Sequence, residues 1–241
     1  MIDSILKKKI DEDEKNISFS NDIIQEFKID SLEEKFIIEE YWCDDESINV
    51  FDIVGTIHPD YINLTWKQLL DRGKRMHINL PLVDKNPDYY IKPIKEPTMY
   101  FNKIDGKYYI NTDGNHRSAI VKFLFYFNGN THIHGVTVNE YKIDKISYEK
   151  VKKLKQLIKS KKLPILLEVN RTSIKREDTA RWKRDIFKIS FEFQNLKTGK
   201  SFEFPDIQLN NIELDDLIKT VENYSLFKKL FFFNTGYMKY L

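Results

Sequence analysis

The chain has 241 residues, 41% hydrophobic and 14% aromatic, so it can bury a core and is too apolar for wholesale disorder. One cysteine, Cys43, excludes an internal disulfide framework and a cysteine-rich zinc site. The net charge of +2 hides an asymmetry: residues 1–55 hold 6 Lys/Arg against 16 Asp/Glu, and residues 56–241 hold 33 against 21. An acidic front on a basic body reads either as solvated surface or as a body that meets an anion such as nucleic acid.

In chain order, the opening MIDSILKKKIDEDEK carries charge where a signal peptide needs an apolar core, and no later run reaches membrane-spanning length. A cytoplasmic location with no membrane partner is therefore expected. Asn21 to Tyr41 reads as one or two amphipathic helices with Ile23, Ile24, Phe27, Leu32, Phe36 and Ile37 on one face, Ser31 and Glu34 forming a capping box. Trp42 to Glu46 reads as an acidic loop, with Cys43 as a small buried apolar residue. Val50 to Ile57 is a strand candidate, His58-Pro59-Asp60 a turn, and Trp66 to Arg72 a helix that Thr65 precedes and Gly73 ends. Lys74, Arg75 and His77 follow as a basic loop. Residues 79–93 carry three prolines and read as irregular, either a cover for a site or a structural meander.

Thr98 to Phe101 and Lys107 to Ile110 read as a hairpin closed by Asp105-Gly106. Thr131 to Tyr141 alternates as a strand, with His132 and His134 on one face; a metal there would need a third ligand. Ser147 to Lys161 is a lysine-rich helix with a Val151, Leu154, Leu157, Ile158 stripe. Arg171, Lys175, Arg176, Arg181, Lys183 and Arg184 then surround Trp182. Basic residues interleaved with an aromatic suit a DNA surface, through charge and stacking, although Glu177, Asp178 and Asp185 dilute it. Ile186 to Phe193 and Lys200 to Phe204 read as a hairpin, Glu213 to Tyr224 as a helix, and Phe231 to Phe233 must be buried, in the domain or against a protein partner such as a second copy.

The chain is organised around Tyr108 to Tyr126, YYINTDGNHRSAIVKFLFY. Strand formers lead into the Asp113-Gly114 turn, and from Ser118 the apolar residues recur at helical spacing. The first N–H groups of a helix lack partners and the dipole is positive there, which suits an anion. Asp113 or Asn115 as a simple helix cap is the competing reading. A cap needs neither the imidazole of His116 nor the guanidinium fork of Arg117, and that fork fits a phosphate. On this reading Gly114, Asn115, His116, Arg117 and Ser118 bind phosphate, Asp113 holds Mg2+ or orients His116, and Asp113, His116 and Arg117 carry catalysis.

TDGNHRSAI resembles the D-G-x-H-R-x-x-A motif of the ParB/sulfiredoxin superfamily. IHPDYINLTWKQLL resembles that superfamily's first strand and helix, PIKEPTMYFNKIDGKYYI its hairpin, and THIHGVTVNEY its closing strand, over roughly residues 50 to 145. The resemblance implies an α+β fold with a small mixed sheet and packed helices. It also implies a nucleoside triphosphate ligand (ATP or CTP), Mg2+, and the roles above for the aspartate, histidine and arginine. By analogy, Asp60 or Glu96 would be the additional acid. The superfamily's reductase needs a cysteine where this chain has Asn115, which argues against sulfinic reduction. The chain shows no helix-turn-helix pattern of the kind that partition proteins of the superfamily carry.

The expected organisation is an acidic helical extension over 1–49, the ParB/sulfiredoxin-like domain over 50–145 and a basic α+β region over 146–241. The expected function is a nucleotide-dependent triphosphatase or nuclease in DNA metabolism, mobile-element or phage-defence biology. A small-molecule kinase of the serine type, and a non-catalytic DNA- or protein-binding scaffold, are the alternatives.

Overall fold

The computed structural model describes residues 4–92, 99–206 and 211–224. Glu96, the start of the first hairpin strand at Thr98 and the aromatic end at Phe231 to Phe233 lie outside the described residues. Within them the chain is α+β, with strands β1 (Gln25–Glu26), β2 (Ile37–Asn49), β3 (Ile53–Thr56), β4 (Tyr100–Ile104), β5 (Lys107–Ile110), β6 (His132–Ile143), β7 (Ile165–Asp178), β8 (Trp182–Asn195) and β9 (Ser201–Phe204). The helices are α1 (Ile5–Asp13), α2 (Trp66–Arg72), α3 (Met76–Lys85), α4 (Asn115–Asn128), α5 (Lys145–Ser160) and α6 (Asn211–Asn223). The strands pair in the mixed order β1-β3-β5-β4-β6-β2-β8-β7, with β9 on β8. Among the described residues no helix is long and apolar enough to cross a membrane.

The chain divides into two compact units. The first comprises Met1–Lys28, Tyr41–Tyr141 and Glu177–Arg184. Here β1 runs parallel to β3, β3 parallel to β5, β5 antiparallel to β4, and β4 parallel to β6. Helix α4 is buried along most of its length, which explains why its sequence is apolar on more than one face. Its C-terminus is closed by Gly129 at φ 70°, the left-handed conformation glycine adopts without penalty.

One cation lies inside that core. Lys122 of α4 is 2% exposed, and its Nζ donates to the carbonyls of Val50 (3.1 Å) and Ile53 (2.9 Å). The ammonium also lies 4.6 Å from the centre of the Trp66 ring and 5.2 Å from that of Phe19, a cation–π environment. Burial drives its pKa down from 10.5 to about 8, against the pull of the Asp22 and Asp52 carboxylates.

The second unit comprises Ile29–Glu40, Lys142–Arg176 and Asp185–Leu241. Tyr148, Val151, Leu154 and Ile158 on α5 fall at helical spacing and pack in a core with Phe191, Phe193 and Leu217. Asp144 caps α5 by accepting from the Ser147 N–H at 3.1 Å. Phe191 and Phe204 stack across β8 and β9 with ring centres 4.3 Å apart.

Four expectations change. Asn21 to Tyr41 is not helical: it holds β1, a 3-10 turn at Glu33–Phe36 and the start of β2. Of the expected apolar face Ile24, Phe36 and Ile37 are buried, Phe27 and Leu32 are partly buried and Ile23 is 52% exposed, and extended chain rather than helix carries them. The Ile24 N–H donates to the Leu64 carbonyl and the Phe27 N–H to the Thr56 carbonyl, bonds a helix could not make. The cap there is Asp30, which accepts from the Leu32 and Glu33 N–H groups, rather than Ser31. Trp42 to Glu46 is strand β2 rather than loop. Residues 79–85 of the expected irregular stretch, with 76–78 of the expected basic loop, form α3, whose Met76, Leu80 and Val83 make a buried stripe despite Pro81.

Candidate functional site

The site is built by β5, the turn after it and the start of α4, all within the first unit. The Asn111 N–H donates to the Tyr100 carbonyl at 2.8 Å, and its side-chain amide donates to Asn102 Oδ1 at 2.9 Å, so β4 anchors the turn. Gly114 then takes φ 116°, which only glycine adopts readily. A Cβ there would lie 3.6 Å from Met99 and Ile110, so backbone strain rather than lack of space demands glycine.

Asp113 does not cap the helix: its Oδ1 accepts from the Gly114 N–H at 2.7 Å, and among the described residues no side chain caps α4. The first turn of a helix without a side-chain cap offers N–H groups that solvent or a ligand can take. Asn115 instead faces inward. It is buried, and Thr56 Oγ1 lies 2.7 Å from its Oδ1, tying α4 to the end of β3. Ser118 is fully buried as well. Neither lines the cavity described next.

That cavity has a volume of about 480 Å3, within the range typical of small-molecule sites, about 300–1,000 Å3. Asp113, Gly114, His116 and Arg117 form one side of it, and Arg75 and Asn79 stand at the start of α3 on another. Arg117 is 18% exposed at its side chain, with Nη2 3.8 Å from the Asp113 carboxylate, which is itself 63% exposed. His116 Nε2 is 3.4 Å from Tyr61 Oη, and the Tyr61 ring in turn packs 4.5 Å from that of His58. Gly73 lets α2 end against the imidazole, since a Cβ there would come within 2.8 Å of His116 Cδ2.

Burial lowers the His116 pKa below its ordinary value, reinforced by the Arg75 guanidinium and by His58, and opposed by Asp113. The ring is therefore neutral at pH 7. A Tyr61 hydroxyl that donates to Nε2 places the ring proton on Nδ1, and one that accepts places it on Nε2.

Of the additional acids, Asp60 lies outside the cavity lining and pairs with Lys74 at 3.6 Å. Among the described residues no cluster of three or more His, Cys, Asp or Glu side chains could hold a metal. Among the described residues Asp113 is the carboxylate of the lining, and it could hold Mg2+ only together with oxygens from a phosphate ligand. His132 and His134 are each engaged by a hydroxyl: Thr131 Oγ1 lies 2.8 Å from His132 Nδ1, and Ser47 Oγ 2.7 Å from His134 Nδ1.

The basic segment is largely answered by carboxylates. Arg171 pairs with Glu40 at 3.0 Å, Arg181 with Asp45 at 2.6 Å, Arg176 with Asp185 at 3.8 Å and Arg184 with Glu177 at 4.0 Å. The segment is also divided, with Arg171, Lys175 and Arg176 in the second unit and Arg181, Trp182, Lys183 and Arg184 in the first. Trp182 packs against Tyr41, ring centres 6.3 Å apart.

Sequence reasoning missed Arg75, Asn79 and Tyr61. The signal for the first two was present: positions 75, 79, 82, 83 and 86 follow helical spacing, but the prolines of that stretch obscured it. No family model, curated protein or solved structure matches the chain.

Proposed function

We propose that this chain binds a nucleoside triphosphate, ATP or CTP, in the cavity at the start of α4 and acts on its terminal phosphate bond, in DNA metabolism. The carrying observation is that an uncapped helix N-terminus, Arg117 and a neutral His116 open into one cavity of about 480 Å3. The resemblance of TDGNHRSAI to the ParB/sulfiredoxin motif supports the same reading.

In this proposal the N–H groups after Gly114 hold phosphate oxygens, and Arg117 forks onto the terminal phosphoryl group. As water attacks phosphorus and the bond to the bridging oxygen breaks, Arg117 balances the charge that spreads over the phosphoryl oxygens. A ring N–H of His116 donates a hydrogen bond to the ligand. Asp113 would hold Mg2+, which supplies further charge neutralisation when bound. Transfer to a small acceptor hydroxyl in place of water would make the chain a kinase of the serine type, and product analysis separates the two. The acidic partners of the basic segment leave DNA as an effector to be tested rather than a surface already evident.

The test is calorimetric titration of the full chain with ATP, CTP and GTP in the presence of Mg2+, followed by phosphate release with and without DNA. Arg117→Ala is expected to weaken nucleotide binding by about tenfold or more, the worth of a charge-assisted hydrogen bond. His116→Ala is expected to lower turnover more than affinity. Circular dichroism checks that both variants fold. Absence of binding by wild type to every nucleotide of the panel would overturn the proposal.

A further inference from the structure

We infer that α3 and the turn after it form the specificity wall of this cavity, with Arg75 as a second phosphate-binding arm and Tyr89 as the platform for a nucleobase. The inference rests on the nucleotide reading above and adds which residues distinguish a nucleotide from an inorganic polyphosphate.

The wall is graded along its length. Residues 75, 79, 82, 83 and 86 all line the cavity, a spacing that places them on one helical face. Its beginning is cationic and polar, with Arg75 and Asn79. Its middle is apolar, with Leu82, and its end is aromatic, with Tyr89. At a rise of about 1.5 Å per residue, positions 75 to 86 span roughly 16 Å, long enough for an extended mononucleotide and far longer than an anion alone needs. The cationic end is the one beside the proposed phosphate site, because Gly73, two residues before Arg75, lies against the His116 ring.

Two features of this wall bear on a ligand, although Tyr89 also packs edge-on 4.8 Å from the buried Tyr90 ring. Leu82 is 55% exposed and Tyr89 37% exposed, yet both face the cavity. Arg75 makes no ion pair or side-chain hydrogen bond with the other described residues, unlike Lys67, which pairs with Asp71 at 2.7 Å on the neighbouring helix. An anionic head and a flat aromatic tail complement the gradient, the head between Arg75 and Arg117 and the base on Tyr89. Asn79, also in the lining, follows Arg75 by about one helical turn.

The experiment titrates the full chain with MgATP, MgCTP, tripolyphosphate and the free nucleosides. It compares wild type with Arg75→Ala and Tyr89→Ala, both exposed positions, and melting curves confirm folding. Wild type is expected to prefer a nucleotide over tripolyphosphate by about tenfold, the effect of one base–aromatic stack. Arg75→Ala should weaken nucleotide and tripolyphosphate alike by about tenfold. Tyr89→Ala should weaken the nucleotide only and abolish the preference. Nucleotide binding indifferent to both substitutions would overturn the role of the α3 wall while leaving the nucleotide reading intact. Failure of every nucleotide to bind wild type would overturn both.

Discussion

Gly55→Ala is expected to destabilise the first unit by about 3 kcal/mol, at the upper end of what overpacking costs. The position tolerates no side chain. A Cβ on Gly55 would stand 2.2 Å from the Gln25 carbonyl oxygen and 2.6 Å from Tyr109 Cδ1. The first of these atoms is backbone, so no rotamer change relieves the contact. The remaining escape is for β1 to peel from β3, breaking the parallel pairing of Gln25 with Gly55 and of Glu26 with Thr56. That would draw on Ile24, fully buried, and on Phe27, whose ring packs 5.2 Å from that of Tyr109. The damage should also reach the cavity, because Thr56, the next residue, holds Asn115 at the head of α4. Urea denaturation reads the stability, and hydrogen exchange at the Phe27 N–H, which donates to the Thr56 carbonyl at 3.0 Å, reads the local release. A midpoint unchanged within about 0.5 kcal/mol, the scatter of ordinary surface substitutions, would show that the approach of the two strands is not rigid.

The parts of this molecule that were legible in its sequence are those where local chemistry decides alone. Asp105-Gly106 forces a tight hairpin, and the structure pairs Lys107 with Ile104 across it. Thr65, read as standing just before α2, caps it, its Oγ1 accepting from the Gln68 N–H at 3.1 Å. The Asp113–Arg117 turn was visible because glycine and four polar groups stand together there. The parts that were not legible depend on distant partners. Ile24 and Phe27 show helical spacing, yet their N–H groups are taken by Leu64 and Thr56, more than 25 positions away. Asn115 and Ser118 belong to the motif by position, but the packing of α4 against β3 turns both inward. Sequence spacing cannot separate a polar residue that faces a ligand from one that anchors the helix carrying it. In the basic segment, too, the carboxylates that pair with Arg171 and Arg181, Glu40 and Asp45, lie far upstream in the chain.

Between pH 8 and pH 10.5, wild type is expected to gain about 3 kcal/mol of stability relative to Lys122→Met. The sign follows from the two pKa values. Burial lowers the folded-state pKa of Lys122 to about 8, while the unfolded chain keeps the ordinary 10.5. Within that interval the unfolded state binds more protons, so the free energy of unfolding rises with pH. Below pH 8 the cost of burying the ammonium is present in full, and above 10.5 it has gone. Tyr41, raised to about 12 with burial the largest cause, pulls the opposite way at high pH, as does Lys67, raised by its hydrogen bonds to Asp71 and Asp11. Both occur in wild type and variant alike, so the difference between the two chains isolates Lys122. Methionine keeps the length of the stem and removes the donor. What the amine does in return for its burial is visible in its bonds: it satisfies the carbonyls of Val50 and Ile53, which bracket the short helical turn at Val50–Asp52 leading into β3. Left without a donor, each buried carbonyl costs roughly 1–3 kcal/mol. Lys122 and Asn115 thus fasten α4 to β3 at two points, one near the middle of the helix and one at the head that opens into the cavity. Denaturant midpoints at pH 7.5, 9 and 10.5 would measure the effect. Parallel curves for the two proteins would mean that the amine does not lose its proton in this range, and that its carbonyl and aromatic partners hold the ammonium as well as water does.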